Sequence, residues 1–137
     1  MHVAVFNGSP RRNGNTARLC KLFCETLAAE DISSEIIQVG GVKIHGCLEC
    51  NHCRRTGEEV CIQKDDPFNE WFEKMRAADG IVLATPVFVG NVTSEMKALI
   101  DRACYISRMR VRVQGQDNIF KHKVAAPLIA VRRTGAM

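Results

Sequence analysis

One short segment narrows the folds open to this chain more than any other. Residues 2–7, HVAVFN, are a β-branched and aromatic run that passes directly into GSPRRNGNT, a cluster of turn formers. From Asn15 to about Ala29 the apolar residues Leu19, Leu22, Phe23 and Leu27 recur at helical spacing, and Asn13 or Asn15 is placed to cap that helix. Residues 33–39, SSEIIQV, read as a second strand closed by Gly40-Gly41. Strand, loop, helix and strand in immediate succession make a βαβ unit, which requires a parallel pair of strands.

The remainder extends the same alternation. Residues 42–66 form a long polar insertion carrying four cysteines. Such a stretch usually has a function or a staple of its own. A helix is expected to begin at Asp65-Asp66-Pro67, with Phe68, Trp71, Phe72 and Met75 along one face. Residues 80–84, GIVLA, read as a strand buried on both faces. TPVFVGNVTS follows as a loop, and Ser94 is placed to cap a helix through EMKALIDRACYI, with Met96, Leu99, Ile100 and Ala103 toward the core. Residues 107–123 are basic and irregular in pattern, and 124–131, VAAPLIAV, read as a fourth strand in which Pro127 is awkward for a central position. The expected fold class is α/β, a doubly wound parallel sheet. Ligands of such sheets sit beyond the carboxyl ends of the strands, which here carry GSPRRNGNT, TPVFVGN and RRTGAM.

Composition removes several classes. The chain of 137 residues is one domain's worth, with 46% hydrophobic and 25% charged residues, which excludes disordered and collagen-like chains. The runs VAVF, GIVLA and AAPLIAV are far shorter than the ~20 residues that span a bilayer, so no membrane partner is expected. No basic stretch precedes the first apolar run, and the expected location is cytoplasmic. A net charge of +4 suits an anionic ligand but is too weak to imply nucleic acid. Seven cysteines, an odd number, exclude a complete disulfide framework.

GSPRRNGNT lies where backbone N–H groups and a helix dipole converge, the geometry that binds an anion. Ser9, Asn15 and Thr16 add donors and Arg11 can add a charge. The G-x-G-x-x-G dinucleotide fingerprint is absent. The Walker A spacing fails as well, because five residues separate Gly8 from Gly14 and Asn15 follows in place of lysine. The remaining reading is a loop for a terminal monophosphate, against a plain βα turn. In TPVFVGN, small residues and Gly90 let backbone approach a flat ligand, and Pro86 stiffens the turn.

Cys47, Cys50, Cys53 and Cys61 make C-x2-C-x2-C-x7-C. The overlapping two-residue gaps are similar to the ligand runs of [4Fe–4S] proteins. Zinc sites more often use two separated knuckles, and redox or structural thiols are a third reading. Cys20, Cys24 and Cys104 lie on helices and read as packing residues.

Taken in order, GSPRRNGNT, the Cys47–Cys61 run and TPVFVGNVTSEMKALIDR resemble the NADPH-dependent FMN reductase family of flavodoxin-like proteins, and within it the iron–sulfur flavoproteins. The resemblance covers nearly the whole chain. It implies one flavodoxin-like FMN-binding domain over 1–137 with a cysteine-rich insertion at 42–66. It places the FMN phosphate on Ser9, Arg11, Asn15 and Thr16. Thr85, Pro86, Val87, Phe88, Gly90 and Asn91 would then follow the isoalloxazine ring, with Arg133 and Thr134 in a third ring-side segment. Phe88 stands where the family often has tyrosine. It also implies a [4Fe–4S] cluster on Cys47, Cys50, Cys53 and Cys61. The implied activity is a flavin-dependent oxidoreductase that couples one- and two-electron carriers, with NAD(P)H or ferredoxin as donor. The alternatives are a cluster-free NAD(P)H-dependent FMN or quinone reductase, and a non-catalytic electron-carrier or sensor module. Flavodoxin-like sheets have five strands and four are counted here, so the fold is expected to be truncated after the fourth strand, with a homo-dimer or homo-tetramer covering the exposed edge.

Overall fold

The computed structural model describes residues 1–132. Its elements are β1 (His2–Asn7), α1 (Asn15–Ala29), β2 (Ser33–Gln38), α2 (His52–Thr56), α3 (Phe68–Ala77), β3 (Gly80–Pro86), α4 (Ser94–Gln114) and β4 (Val124–Ala130). The four strands are all parallel, in the order β2-β1-β3-β4. The chain winds from β1 to β2 on one side and then to β3 on the other, so the switch point lies between β1 and β3. In an open α/β sheet that is where a crevice forms.

Alternation along β1 builds the two halves of the core. Ala4 and Phe6 face α3 and α4, packing with Val39, Phe68, Phe72, Met96 and Leu99. Val3 and Val5 face α1, packing with Cys20, Val82 and Ala84. Phe68 and Phe72 stack with centroids 5.5 Å apart. Each such fully buried ring contributes about 1.5–3 kcal/mol. Among the described residues no helix is long and apolar enough to cross a membrane.

Several expectations are corrected. The face of α1 that meets the sheet is Thr16, Ala17 and Cys20, with Phe23 and Leu27 packed beside them as the period suggests, while Leu19 and Leu22 are exposed. Small side chains let this helix sit close to the strands, which turns the two leucines outward. Its N-cap is Gly14 rather than an asparagine, and that of α4 is Thr93 rather than Ser94. Residues 107–114 are not irregular but continue α4 to a left-handed Gly115 at φ 64°. Tertiary packing sustains this basic stretch, because Ser107 and Met109 are buried and the Ser107 hydroxyl donates to Asn118 Oδ1 at 2.8 Å. Pro127 is accommodated because β4 is an edge strand of the described sheet. Within 42–66 the only regular element is the five-residue α2.

Candidate functional site

The loop after β1 is held from three sides. The Gly8 N–H donates to the Ala84 carbonyl of β3 at 2.7 Å, and the Thr93 hydroxyl donates to the Gly8 carbonyl at 2.8 Å. Gln38 Nε2 donates to the carbonyls of Ser9 and Gly40, each at 2.7 Å, while its Oε1 accepts from Asn7 Nδ2 at 2.9 Å. Asn7 Oδ1 accepts from the Ser9 N–H at 3.1 Å. Asn7 and Gln38 are register partners at the ends of β1 and β2, so one amide pair clamps both strand ends to the loop. Gly40 presses against this loop so closely that a Cβ would overlap the Gly8 carbonyl and the Ser9 backbone.

Inside the loop the Arg11 N–H donates to Ser9 Oγ at 3.2 Å, and the Gly14 N–H donates to the Arg11 carbonyl at 3.0 Å. With glycine at the N-cap, α1 has no side-chain cap and no acidic residue in its first turn. Its first N–H groups and the positive end of its dipole are therefore left for an anion.

After β3 the chain makes a tight hairpin tip. Phe88 and Asn91 exchange backbone hydrogen bonds at 2.8 and 3.0 Å around Val89 and Gly90, whose φ values are 50° and 73°. Positive φ at both central residues is the pattern of a type I′ turn, and a β-branched valine there is strained. Val87 N–H reaches the Ala130 carbonyl at 3.3 Å, tying this tip to the end of β4.

The three strand ends enclose a cleft of about 860 Å³. Ser9, Arg11, Asn15, Thr16, Pro86, Val87 and Phe88 all line it. Thr85 does not: its buried Oγ1 accepts the Thr93 N–H at 3.3 Å and donates to the Pro86 carbonyl at 2.9 Å, so it shapes the turn from behind. Gly90 and Asn91 lie at the hairpin tip rather than on the cleft wall. Arg133 and Thr134 fall outside the described residues. Arg132, the first residue of the third ring-side segment, lines the cleft; Arg18, Leu19, Leu22 and Ile129 also line it and were not anticipated from sequence. The exposed leucines of α1 thus have a place: they form an apolar wall opposite Pro86 and Phe88. Three arginines and no carboxylate stand among the cleft-lining residues. An uncapped helix N-terminus, these cations and the apolar wall fit a flat, phosphate-bearing ligand.

The second region is the cysteine loop. Cys47, Cys50, Cys53 and Cys61 line one narrow cavity, together with Arg102 and Tyr105 of α4. Among the described residues no group of three or more His, Cys, Asp or Glu side chains is arranged to hold a metal ion. The donor set nonetheless fits an anionic metal–sulfur group by its chemistry: four cysteines line one space, and a buried cation forms part of its wall. Burial pushes the Cys53 thiol above its ordinary pKa, and Cys47 and Cys50 add to the rise. Arg102 is 1% exposed and pairs with the fully buried Asp66 carboxylate at 2.5 Å. It donates to the His45 and Gln63 carbonyls at 3.1 and 3.3 Å and lies over the Phe68 ring at 4.0 Å. The Tyr105 hydroxyl donates to Asn51 Oδ1 at 2.7 Å, Arg110 pairs with Glu59, and Gln114 Nε2 donates to the Gly57 carbonyl. These contacts were missed from sequence, because an arginine within an apolar helical stripe reads as a flanking charge.

A doubly wound parallel sheet with an anion-ready crevice at its switch point defines a flavodoxin-like α/β protein. The chain belongs to the NADPH-dependent FMN reductase family, whose model matches residues 1–137. It is 37% identical over 103 residues to an iron–sulfur flavoprotein of Methanocaldococcus jannaschii, an alignment covering 75% of this chain and 52% of the relative. It is 35% identical over 138 residues to an iron–sulfur flavoprotein of Archaeoglobus fulgidus, covering 99% and 63%. A third, from Methanosarcina thermophila, is 31% identical over 128 residues, covering 93% and 62%. The chain thus spans little more than half the length of these relatives. Among solved structures, an NAD(P)H:quinone oxidoreductase of Methanothermobacter marburgensis superposes with a TM-score of 0.73 at 17% identity, covering 98% of this chain and 65% of that one. That likeness is one of fold.

Proposed function

We infer that this chain is the flavin-binding part of an FMN-dependent oxidoreductase. The observation that carries the reading is the cleft at the switch point, where an uncapped helix N-terminus and three arginines lie beside an apolar wall. Family membership and the iron–sulfur flavoprotein relatives support it. Ser9, Arg11, Asn15 and Thr16 would hold the FMN phosphate, and Pro86, Val87 and Phe88 would flank the ring. Bound flavin supplies the exchange between two-electron and one-electron carriers, and the protein supplies position and electrostatics. Backbone of residues 86–88 would orient the ring, and the leucines of α1 would keep water from one side of it. Phe88 offers an aromatic face without a hydroxyl, so ring contact there is apolar. The electron donor would be of NAD(P)H type or a ferredoxin. Exposed Leu22, Phe88, Val89 and Val131 around the cleft support a homo-dimer or homo-tetramer.

A second element of the reading is a [4Fe–4S] cluster on Cys47, Cys50, Cys53 and Cys61, supported by their sharing one cavity. Protein purified and reconstituted without oxygen would be assayed for flavin, iron and sulfide, with its visible spectrum. One FMN with about four iron and four sulfide per chain is expected for a four-cysteine cubane. FMN without iron would leave a cluster-free NAD(P)H-dependent flavin or quinone reductase. No FMN uptake would overturn the oxidoreductase reading.

A further inference from the structure

The buried cation beside the cysteines is not explained by stability alone. Arg102 is almost fully withdrawn from water, which for a guanidinium costs several kcal/mol unless each donor finds a partner. Two of its nitrogens are satisfied, by Asp66, His45 and Gln63. The third, Nε, is buried without any hydrogen-bond partner. An orphaned charged donor is the feature that native interiors normally avoid. Here the same side chain forms part of the wall around the four thiols, whereas Asp66 does not line that cavity. The Arg102–Asp66 pair is therefore a dipole with its positive end on the wall of the cavity that the cysteines share. The two carbonyls it holds lie just before Cys47 and just after Cys61, so the guanidinium also closes the loop at both ends.

We propose that Arg102 is the counter-cation of an anionic metal–sulfur group in this cavity, setting its electron affinity as well as fastening the loop. The proposal rests on the cluster reading above. When one electron enters the cluster from an external one-electron reductant, the site gains one negative charge. No bond forms or breaks and no proton moves. The positive end of the dipole favours that gain, and a fixed neighbouring charge acts most strongly where water is excluded.

The test is a redox titration of anaerobically reconstituted protein with dithionite, followed by electron paramagnetic resonance, with iron measured in each sample. Asp66→Asn removes the negative end and should shift the midpoint upward. The double variant Asp66→Asn/Arg102→Met removes the whole dipole without stranding either charge. It should shift the midpoint downward by about tenfold in the reduction equilibrium, roughly 59 mV for one electron. A purely structural role would lower iron content without moving the two potentials in opposite directions. Unchanged potentials, or shifts of the same sign, would overturn the proposal. If the double variant takes up no iron, the Asp66→Asn shift decides alone: upward supports the proposal, absent or downward ends it. Wild-type protein that takes up no iron would remove the cluster reading itself, and this proposal with it. That failure is visible before any variant is made.

Discussion

The β1–α1 loop, proposed above to hold phosphate, and the cysteine loop both lean on α4, about 14 Å apart along its axis at 1.5 Å per residue from Thr93 to Arg102, yet they are held by different chemistry. The phosphate loop is fixed by uncharged groups, Asn7, Gln38 and Thr93, acting on backbone carbonyls and N–H groups at the ends of three neighbouring strands. The cysteine loop rests on charge: Arg102 with Asp66 and Arg110 with Glu59, drawn across from a helix to a segment with little regular structure of its own. The first loop needs no ligand to keep its shape. The second lines one cavity with four cysteines, and its two anchoring arginines, Arg102 and Arg110, each keep a buried Nε without a hydrogen-bond partner.

Removing the charge should separate the two regions most sharply. Arg102→Met leaves the buried Asp66 carboxylate without its counter-charge, at a cost of about 3–5 kcal/mol. Urea denaturation followed by the fluorescence of the single Trp71 should show the loss, while FMN affinity stays near that of wild type. A matching fall in FMN affinity would mean that the two loops are one unit. Gly40→Ala is the converse experiment. The added methyl meets backbone rather than a movable side chain, so about 3 kcal/mol of stability should go, together with FMN binding. Iron uptake by the cysteine loop should persist in the folded fraction.

Smaller changes sharpen the assignment within the cleft. Arg11→Ala or Thr16→Ala should each weaken FMN by about 1–3 kcal/mol, the scale of a hydrogen bond to a charged group, measured by flavin fluorescence quenching. Cys20→Ser, buried against β1 and β3, should leave FMN affinity and iron content alone.

Acid should distinguish the loops last and least. Burial pushes the Asp66 carboxyl up, but the His45 N–H, Arg102 and the Phe68 N–H outweigh it and hold the group below its ordinary 3.8. The folded state therefore binds fewer protons there than the unfolded chain does. Its stabilising contribution is complete above the unfolded value and is lost as pH falls through the lowered folded value. Limited proteolysis below pH 4 should cut within 42–66 before it cuts the phosphate loop, whose straps do not titrate. Equal rates of cutting would count against a charge-held loop.

What could be read from the residues follows the same division. The βαβ start, the parallel sheet and the position of the β1–α1 loop were legible because their signals are local: a strand, a turn cluster and a helix in immediate succession. The partition of α1 was not, because Leu19 and Leu22 match the helical period as well as Thr16 and Cys20 do, and only contact with the sheet decides between them. The last turns of α4 were missed for a related reason. SRMRVRVQ has no apolar stripe of its own and is helical because Gln114 and Arg110 find partners in the distant cysteine loop and Ser107 in the loop that follows the helix. Asn7 and Gln38 did leave a trace, as two amides ending apolar strands, but their pairing needs the strand register.

The claim that the β1–α1 loop is a phosphate cradle is tested most directly by titrating wild-type protein with FMN and with riboflavin, which differ only in the phosphate. FMN is expected to bind at least about a hundredfold more tightly, equivalent to about 2.7 kcal/mol and to one or two charge-assisted hydrogen bonds. The preference should shrink in Arg11→Ala. Equal affinities for the two ligands would contradict the account.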